Sequence, residues 1–301
     1  MRCVAFTDTL IARLVEAREG AAAWGYRPHS DGWAEPTALA AMALSAHVQA
    51  AELVAGGLEW LVGIQQADGA VPVATKMDGP HWTTALALLA WCHTDPVHRE
   101  RFHSQTERAA AWLIEAKGIP LPRNERLQDH DTTLVGWSWV AQTHSWIEPT
   151  SYAVLALRAA GQADHARARE GVRLILDRAL PDGGWNYGNR RVLTHVLRPF
   201  PATTGASLTA LAGEPRTPEI DRSIEYLSHE LQRVRTPLSL SWGVIGLRAW
   251  GALPTDAENW LEETAERVLA QPANPLYDAL LLLAAAQRCP LLTGTEDVDH
   301  G

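Results

Sequence analysis

Five side chains in this sequence have the chemistry and the neighbours to move a proton. Glu35 and Glu148 each stand behind a tryptophan and ahead of Pro-Thr, in Trp33-Ala34-Glu35-Pro36-Thr37 and Trp146-Ile147-Glu148-Pro149-Thr150. Asp129, Asp131 and His144 lie upstream of the second copy, the first two within Asp129-His130-Asp131-Thr132-Thr133. A carboxylate just ahead of a helix-starting proline sits at the positive end of the helix dipole, and the proline there costs no hydrogen bond. The phrase therefore works as a helix start, and two converging copies also make a carboxylate pair. Two carboxylates in an apolar, Trp-lined pocket push their pKa values apart and leave one protonated. Such an acid can protonate an alkene or a glycosidic oxygen. Glu148 and Asp131 lead as candidates for the acid, with Glu35, Asp129 and His144 as partners.

Rings surround these acids. The chain has 13 Trp against 3 Phe and 5 Tyr, and most of that excess reads as packing between repeated units. Trp33, Trp82, Trp137, Trp139, Trp146 and Trp242 differ, because they fall in or beside loops that lead into apolar segments. With His81, Tyr152 and Tyr187 they make the candidate substrate surface. Arg190 and Arg191 can hold a phosphate group bidentately, or can order their loop by pairing with Asp129 and Asp131. His29, Asp31, His81, His130, His144 and His195 are a loop-borne pool without zinc-ligand spacing, so no metal site is assigned. No cofactor is expected, with Mg entering only for a diphosphate substrate.

The segments carrying these residues alternate between two kinds. Apolar residues at three- and four-residue spacing predict half-wet outer helices at about 7–20, 49–66, 98–117, 163–179, 217–234 and 256–270. Nearly all-apolar runs at 37–46, 83–91, 150–160, 204–212, 239–250 and 277–287 predict buried inner helices. Strict alternation predicts six helical hairpins at a period of about 50 residues, because such units cover their apolar faces only by stacking. The expected fold is all-α, a single (α/α)6 toroid spanning 1–301 as one domain, with every inner helix starting at one cup. The first four outer-to-inner connections, 24–35, 68–82, 118–148 and 182–203, are long, and long ordered loops carry function. The site is expected at that mouth.

A sharper pattern recurs in the outer segments. Gly57, Trp60-Leu61, Gln65, Gly69 and Val71 follow Gly-x2-aromatic-Leu-x3-Gln-x3-Gly-x-Trp, with Val71 replacing the last Trp. Residues 171–185 keep the register and end in Asp182-Gly183-Gly184-Trp185, while Trp112-Leu113, Tyr226-Leu227 and Trp260-Leu261 keep the aromatic-Leu pair. The pattern resembles the QW repeat of the squalene-hopene cyclase and prenyltransferase superfamily, in degenerate copies over most of the chain. The resemblance implies an α/α toroid and an isoprenoid substrate, a prenyl diphosphate or a linear polyprene. It further implies acid-initiated carbocation chemistry, with Trp faces stabilising the cation. Asp129 to Thr133 match the letters of the class II terpene cyclase Asp-x-Asp-Asp/Thr-Thr motif, whose middle Asp is the acid, which points to Asp131. Counting back from the inner helix points instead to Glu148, and to Glu35 in the first repeat. Cyclases of that superfamily work between two toroids, whereas this chain has helices for one. The resemblance thus implies binding inside a single cup, or a homodimer or second toroid that closes it. The zinc ligands of protein prenyltransferase β-subunits find no counterpart at Cys92-His93 or Cys289.

Two other readings stay open. Many (α/α)6 barrels are glycosidases that set two carboxylates across an aromatic cleft, a task Glu35, Asp131 and Glu148 can fill. The apolar character of the inner segments favours the isoprenoid over the sugar. The third reading is a lipid-binding cup without catalysis. A net charge of -9 with no Lys/Arg run excludes a general nucleic-acid binder. Cys3, Cys92 and Cys289 are scattered with no CxxC, which fits a reducing compartment. No run reaches the roughly 18 apolar residues of a membrane span, and the N-terminus lacks an apolar leader, so a cytoplasmic protein is expected.

Overall fold

A computed structural model describes residues 6–18, 21–94, 96–122, 130–192 and 195–292. In chain order its helices are α1 (Phe6–Ala17), α2 (Ala34–Leu44), α3 (Ala51–Ile64), α4 (Thr84–Cys92), α5 (Pro96–Arg101), α6 (His103–Glu115) and α7 (Ile147–Ala159). They continue as α8 (Ala166–Asp177), α9 (Pro201–Ala210), α10 (Pro218–Leu231), α11 (Pro237–Ala249), α12 (Ala257–Leu269) and α13 (Pro275–Ala285). Between α8 and α9 a small antiparallel ladder pairs β1 (Arg191–Val192) with β2 (His195–Val196). Among the described residues, no helix is long and apolar enough to cross a membrane.

The inner helices form a closed ring. α2 packs on α4, α4 on α7, α7 on α9, α9 on α11 and α11 on α13, and α13 returns to α2. Outside it run α1, α3, α6, α8, α10 and α12, with α1 packed on both α12 and α13. The fold is therefore the all-α (α/α)6 toroid that the alternation predicts. Burial explains the division: Thr84 through Trp91 of α4 are buried without a break, whereas α3 buries only Val54, Gly57, Leu58 and Leu61. At the seam Arg13 of α1 pairs with Asp278 of α13 (3.1 Å) and donates to the carbonyl of Val268 in α12 (3.2 Å), tying the first hairpin to the last. On the far side α9 and α11 touch backbone to backbone, where a Cβ on Gly246 would lie 2.6 Å from the Gly205 carbonyl oxygen.

One hydrogen-bond pattern joins each long loop to its helices. Trp24, Trp137 and Trp185 donate their indole N–H back to the outer helix, to the carbonyls of Leu14 (2.8 Å), Leu113 (2.9 Å) and Ile175 (2.7 Å). Their backbone N–H groups donate forward, to the hydroxyls of Thr37 (3.1 Å), Thr150 (3.0 Å) and Thr204 (3.0 Å) on the inner helix. In the second hairpin, where Val71 has no indole, its backbone N–H still donates to the Thr84 hydroxyl (2.8 Å). The repeat's opening glycine receives the previous hairpin's ring: a Cβ on Gly57 would lie 2.7 Å from the ring of Trp24, and one on Gly171 2.9 Å from that of Trp137. The repeated letters thus encode how an outer helix ends and how neighbouring hairpins stack. Trp137, expected on the substrate surface, is one of these staples and is only 4% exposed.

Apart from α4, the inner helices start earlier than their apolar runs suggest. α2 begins at Ala34 and α7 at Ile147, each preceded by a tryptophan in extended conformation, Trp33 and Trp146. Glu35 and Glu148 therefore lie inside the first turn rather than ahead of it. Pro36 and Pro149 follow them where the backbone N–H has no partner within the helix.

Candidate functional site

The first turns of α2, α7 and α9 bring two carboxylates together. The Tyr26 hydroxyl donates to Glu35 Oε2 at 2.5 Å, and the hydroxyl of Thr203 on α9 donates to Glu148 Oε1 at 2.9 Å. Burial pushes both carboxyl groups above the usual carboxylate range, while the bonds from Tyr26 and Thr203 pull back. The Glu35 charge raises Glu148 further, so the two lie within electrostatic reach of each other. Tyr152, one helical turn below Glu148 on the same face of α7, joins the group. Its phenol is pushed well up by burial and then by the charges of Glu148 and Glu35. Both glutamates keep part of their surface accessible.

Aromatic rings surround the pair. Tyr26 lies 5.4 Å from Trp33, and Tyr152 stacks on Trp242 of α11 at 5.5 Å with planes 29° apart. Trp82 stands 6.2 Å from Tyr152 and meets Trp139 edge-on at 4.8 Å. Tyr152 and Trp242 are 6% and 2% exposed and make the floor, whereas Trp33, Trp82 and Trp139 are half-buried walls.

Asp131 stands apart from this cluster. Its Oδ1 accepts from the backbone N–H (2.9 Å) and hydroxyl (2.6 Å) of Thr133, and its own N–H donates to Asp177 Oδ2 (2.9 Å). That is an Asx turn leading into the Trp137 staple, and short Asp/Thr strings favour such turns whatever the chemistry nearby. Asp129 lies outside the described residues. His144 packs its ring 4.5 Å from Trp146, with its pKa lowered by burial and then by the Arg178 charge. Trp146 lines a rim groove of about 280 Å³ with Tyr187, Phe200 and Arg198, and Tyr187 stacks on Phe200 at 4.8 Å. Arg190 donates to the Asp177 carbonyl (3.4 Å), and Arg191 is exposed on β1. His81 lies 5.8 Å from Trp112 and lines a separate pocket between the second and third hairpins. Among the described residues, no three His, Cys, Asp or Glu side chains gather as a metal site.

Sequence reasoning did not single out Tyr26 or Thr203 as partners of the two acids. Thr203 had a readable sign: once Thr204 occupies the staple register of Thr37 and Thr150, the hydroxyl beside it is left for another task. Tyr26 lies in a loop with no periodicity and left none.

No family model matches the chain, and no curated protein matches it. Its fold is similar to that of an α-amylase from Clostridium perfringens, with TM-score 0.62 and 10% identity over 91% of this chain and 96% of that one. A glycosidase variant in complex with glucose gives TM-score 0.60 at 10% identity, covering 96% of this chain and 97% of the other. A protein from Actinoplanes gives TM-score 0.55 at 14% identity, covering 90% and 82%. These neighbours correct the resemblance to squalene-hopene cyclases and prenyltransferases: the solved toroids named for an activity are glycosidases and an α-amylase, not terpene cyclases. The physical reason lies in the staples. The repeat's Gly, Leu and Trp satisfy needs of hairpin stacking that any α/α toroid shares, so they report the fold and not the reaction. The chain is a closed α/α toroid similar in fold to those glycosidases, with a carboxylate pair where its inner helices begin.

Proposed function

We propose that the protein is a glycoside hydrolase whose paired carboxylates are Glu35 and Glu148. The observation that carries this reading is the geometry of the two glutamates. They come from the first turns of α2 and α7, each is held by a hydroxyl donor, and both are desolvated within reach of each other's charge. Glycoside hydrolysis needs two such groups, one to protonate the leaving oxygen and one to activate water or attack the anomeric carbon. Glu148, raised by burial and further by the Glu35 charge, holds the proton and serves as general acid. Glu35, whose Tyr26 bond favours its ionised form, is the base or nucleophile. Trp33 and Trp82, half-buried, offer ring faces for the C–H faces of a sugar, with the stacked Tyr152 and Trp242 packed beneath them. Asp131, bound in its turn, takes no part. The fold shared with glycosidases supports a sugar over an apolar substrate.

Aryl α- and β-glycosides together with oligosaccharides of glucose, xylose, galactose and N-acetylglucosamine form the test panel. Hydrolysis of at least one is expected, with Glu35→Gln and Glu148→Gln each reducing kcat about 10²–10⁴-fold while circular dichroism stays unchanged. The anomer first released, followed by NMR, assigns Glu35 as nucleophile or base. No hydrolysis anywhere on the panel, or full activity in both variants, refutes the proposal.

A further inference from the structure

A second pocket opens beside the carboxylate pair, between the second and third hairpins. Its volume of about 610 Å³ falls in the range of roughly 300–1,000 Å³ typical of small-molecule sites. Trp112 of α6, Trp139 of the third loop, Trp82 and His81 line it, and Trp82 also meets Tyr152 beneath the carboxylates. Trp82 is therefore a wall common to both places. Trp139 stands edge-on against that wall, so the rings run without a break from the pocket to Tyr152 and Trp242.

Polar groups choose the ligand class. Among the described residues the buried Nε2 of His81 has no hydrogen-bond partner, which is costly unless a ligand supplies one. Asp68, Glu115, Lys117, Ser138 and Gln142 add polar atoms to the lining. Gln142 holds φ at 62°, a left-handed conformation uncommon for a residue other than glycine. An apolar ligand would leave His81 Nε2 unpaired, and two acids against the one Lys117 disfavour an anion. A pyranose satisfies both requirements, because its faces present C–H groups to aromatic rings and its edge presents hydroxyls.

We propose that this pocket holds a second sugar unit, so that the substrate is an oligosaccharide running from the carboxylate pair over Trp82 to Trp112. The inference rests on the hydrolase reading for what happens at the carboxylates, but sugar binding in the pocket is measured separately. Titration calorimetry on the full chain carrying Glu148→Gln would compare mono-, di- and trisaccharides of the same four sugars, with and without Trp112→Ala or His81→Gln. At least one di- or trisaccharide is expected to bind about tenfold more tightly than its monosaccharide, and Trp112→Ala to remove that gain. In the active enzyme, the ratio of kcat/KM for oligosaccharide over aryl monoglycoside should fall by a similar factor. Sugars that bind and lose affinity with Trp112→Ala, in a chain that hydrolyses nothing, would sustain the pocket and sink the hydrolase. Hydrolysis with oligosaccharide binding unchanged in both pocket variants, or no sugar bound at all, overturns the pocket.

Discussion

Replacing Thr204 with valine tests whether the repeated letters build hairpins. Thr204 is fully buried, its hydroxyl accepts the Trp185 backbone N–H at 3.0 Å, and it also lies 3.3 Å from the Trp185 carbonyl oxygen. Valine has nearly the same shape, so the change opens no cavity and instead strands a buried N–H. Leaving such a donor unpaired costs about 1–3 kcal/mol. For a chain of this size each kcal/mol lowers Tm by about 2–4 °C, so a fall of roughly 2–12 °C is expected. Urea unfolding followed by circular dichroism and tryptophan fluorescence should show a lower midpoint with an unchanged slope. Thr37→Val and Thr150→Val break the same bond at 3.1 and 3.0 Å and should cost as much. Because the three lie in different hairpins, the losses should add. A Thr204→Val protein within about 0.5 kcal/mol of wild type would refute the staple, since that is the range of a neutral surface change.

Other perturbations report on the site and the core. Tyr26→Phe removes the bond that lowers Glu35, so its pKa rises further and the acid limb of the kcat/KM profile moves to higher pH; an unmoved limb rules out Glu35 as the base. Thr203→Val likewise raises Glu148 and should move the alkaline limb upward. Burial lifts Asp278 from 3.8 to about 6 against the pull of Arg13, so its contribution to stability is complete below pH 4 and is lost as pH rises through 6. A shift of about two units corresponds to about 3 kcal/mol. Comparing urea midpoints at pH 4 and 7 should show less pH dependence in Asp278→Asn, and an undiminished one counts against the assignment. Gly171→Ala would press a Cβ within 2.8 Å of Val154 and 2.9 Å of the Trp137 ring, costing about 1–3 kcal/mol. Gly63→Ala meets nothing within 4 Å and should stabilise α3 by up to about 1 kcal/mol, a contrast that thermal melts can read.

The toroid was legible because its cause is local. Alternation of half-wet and fully apolar segments states which helices are inside, and six such pairs cannot cover their apolar faces without stacking. Helix starts were less legible, since Trp33 and Trp146 flank α2 and α7 in extended conformation while the apolar runs begin a turn later. The tryptophans were legible only by register. Trp137 is both staple and pocket wall: its indole N–H goes to Leu113, as that of Trp185 goes to Ile175, and the residue also lines the pocket between the second and third hairpins. Asp131 was ambiguous for a related reason: an Asp-Thr string is turn chemistry first, and its Oδ1 accepts two hydrogen bonds from Thr133.

By itself the sequence determined the hairpin count, the inner and outer roles, and the two Glu-Pro-Thr helix starts, all of which depend on residues a few positions apart. The tertiary structure decided which of those residues meet. Closure of α13 on α2 puts the first and third hairpins around one cup, and only there do Glu35 and Glu148 feel each other's charge. Tyr26, Thr203 and Trp242 reach that pair from segments far apart in the chain. Desolvation and charge coupling depend on distances through space, and a carboxylate acquires a raised pKa only from the neighbours the fold brings to it.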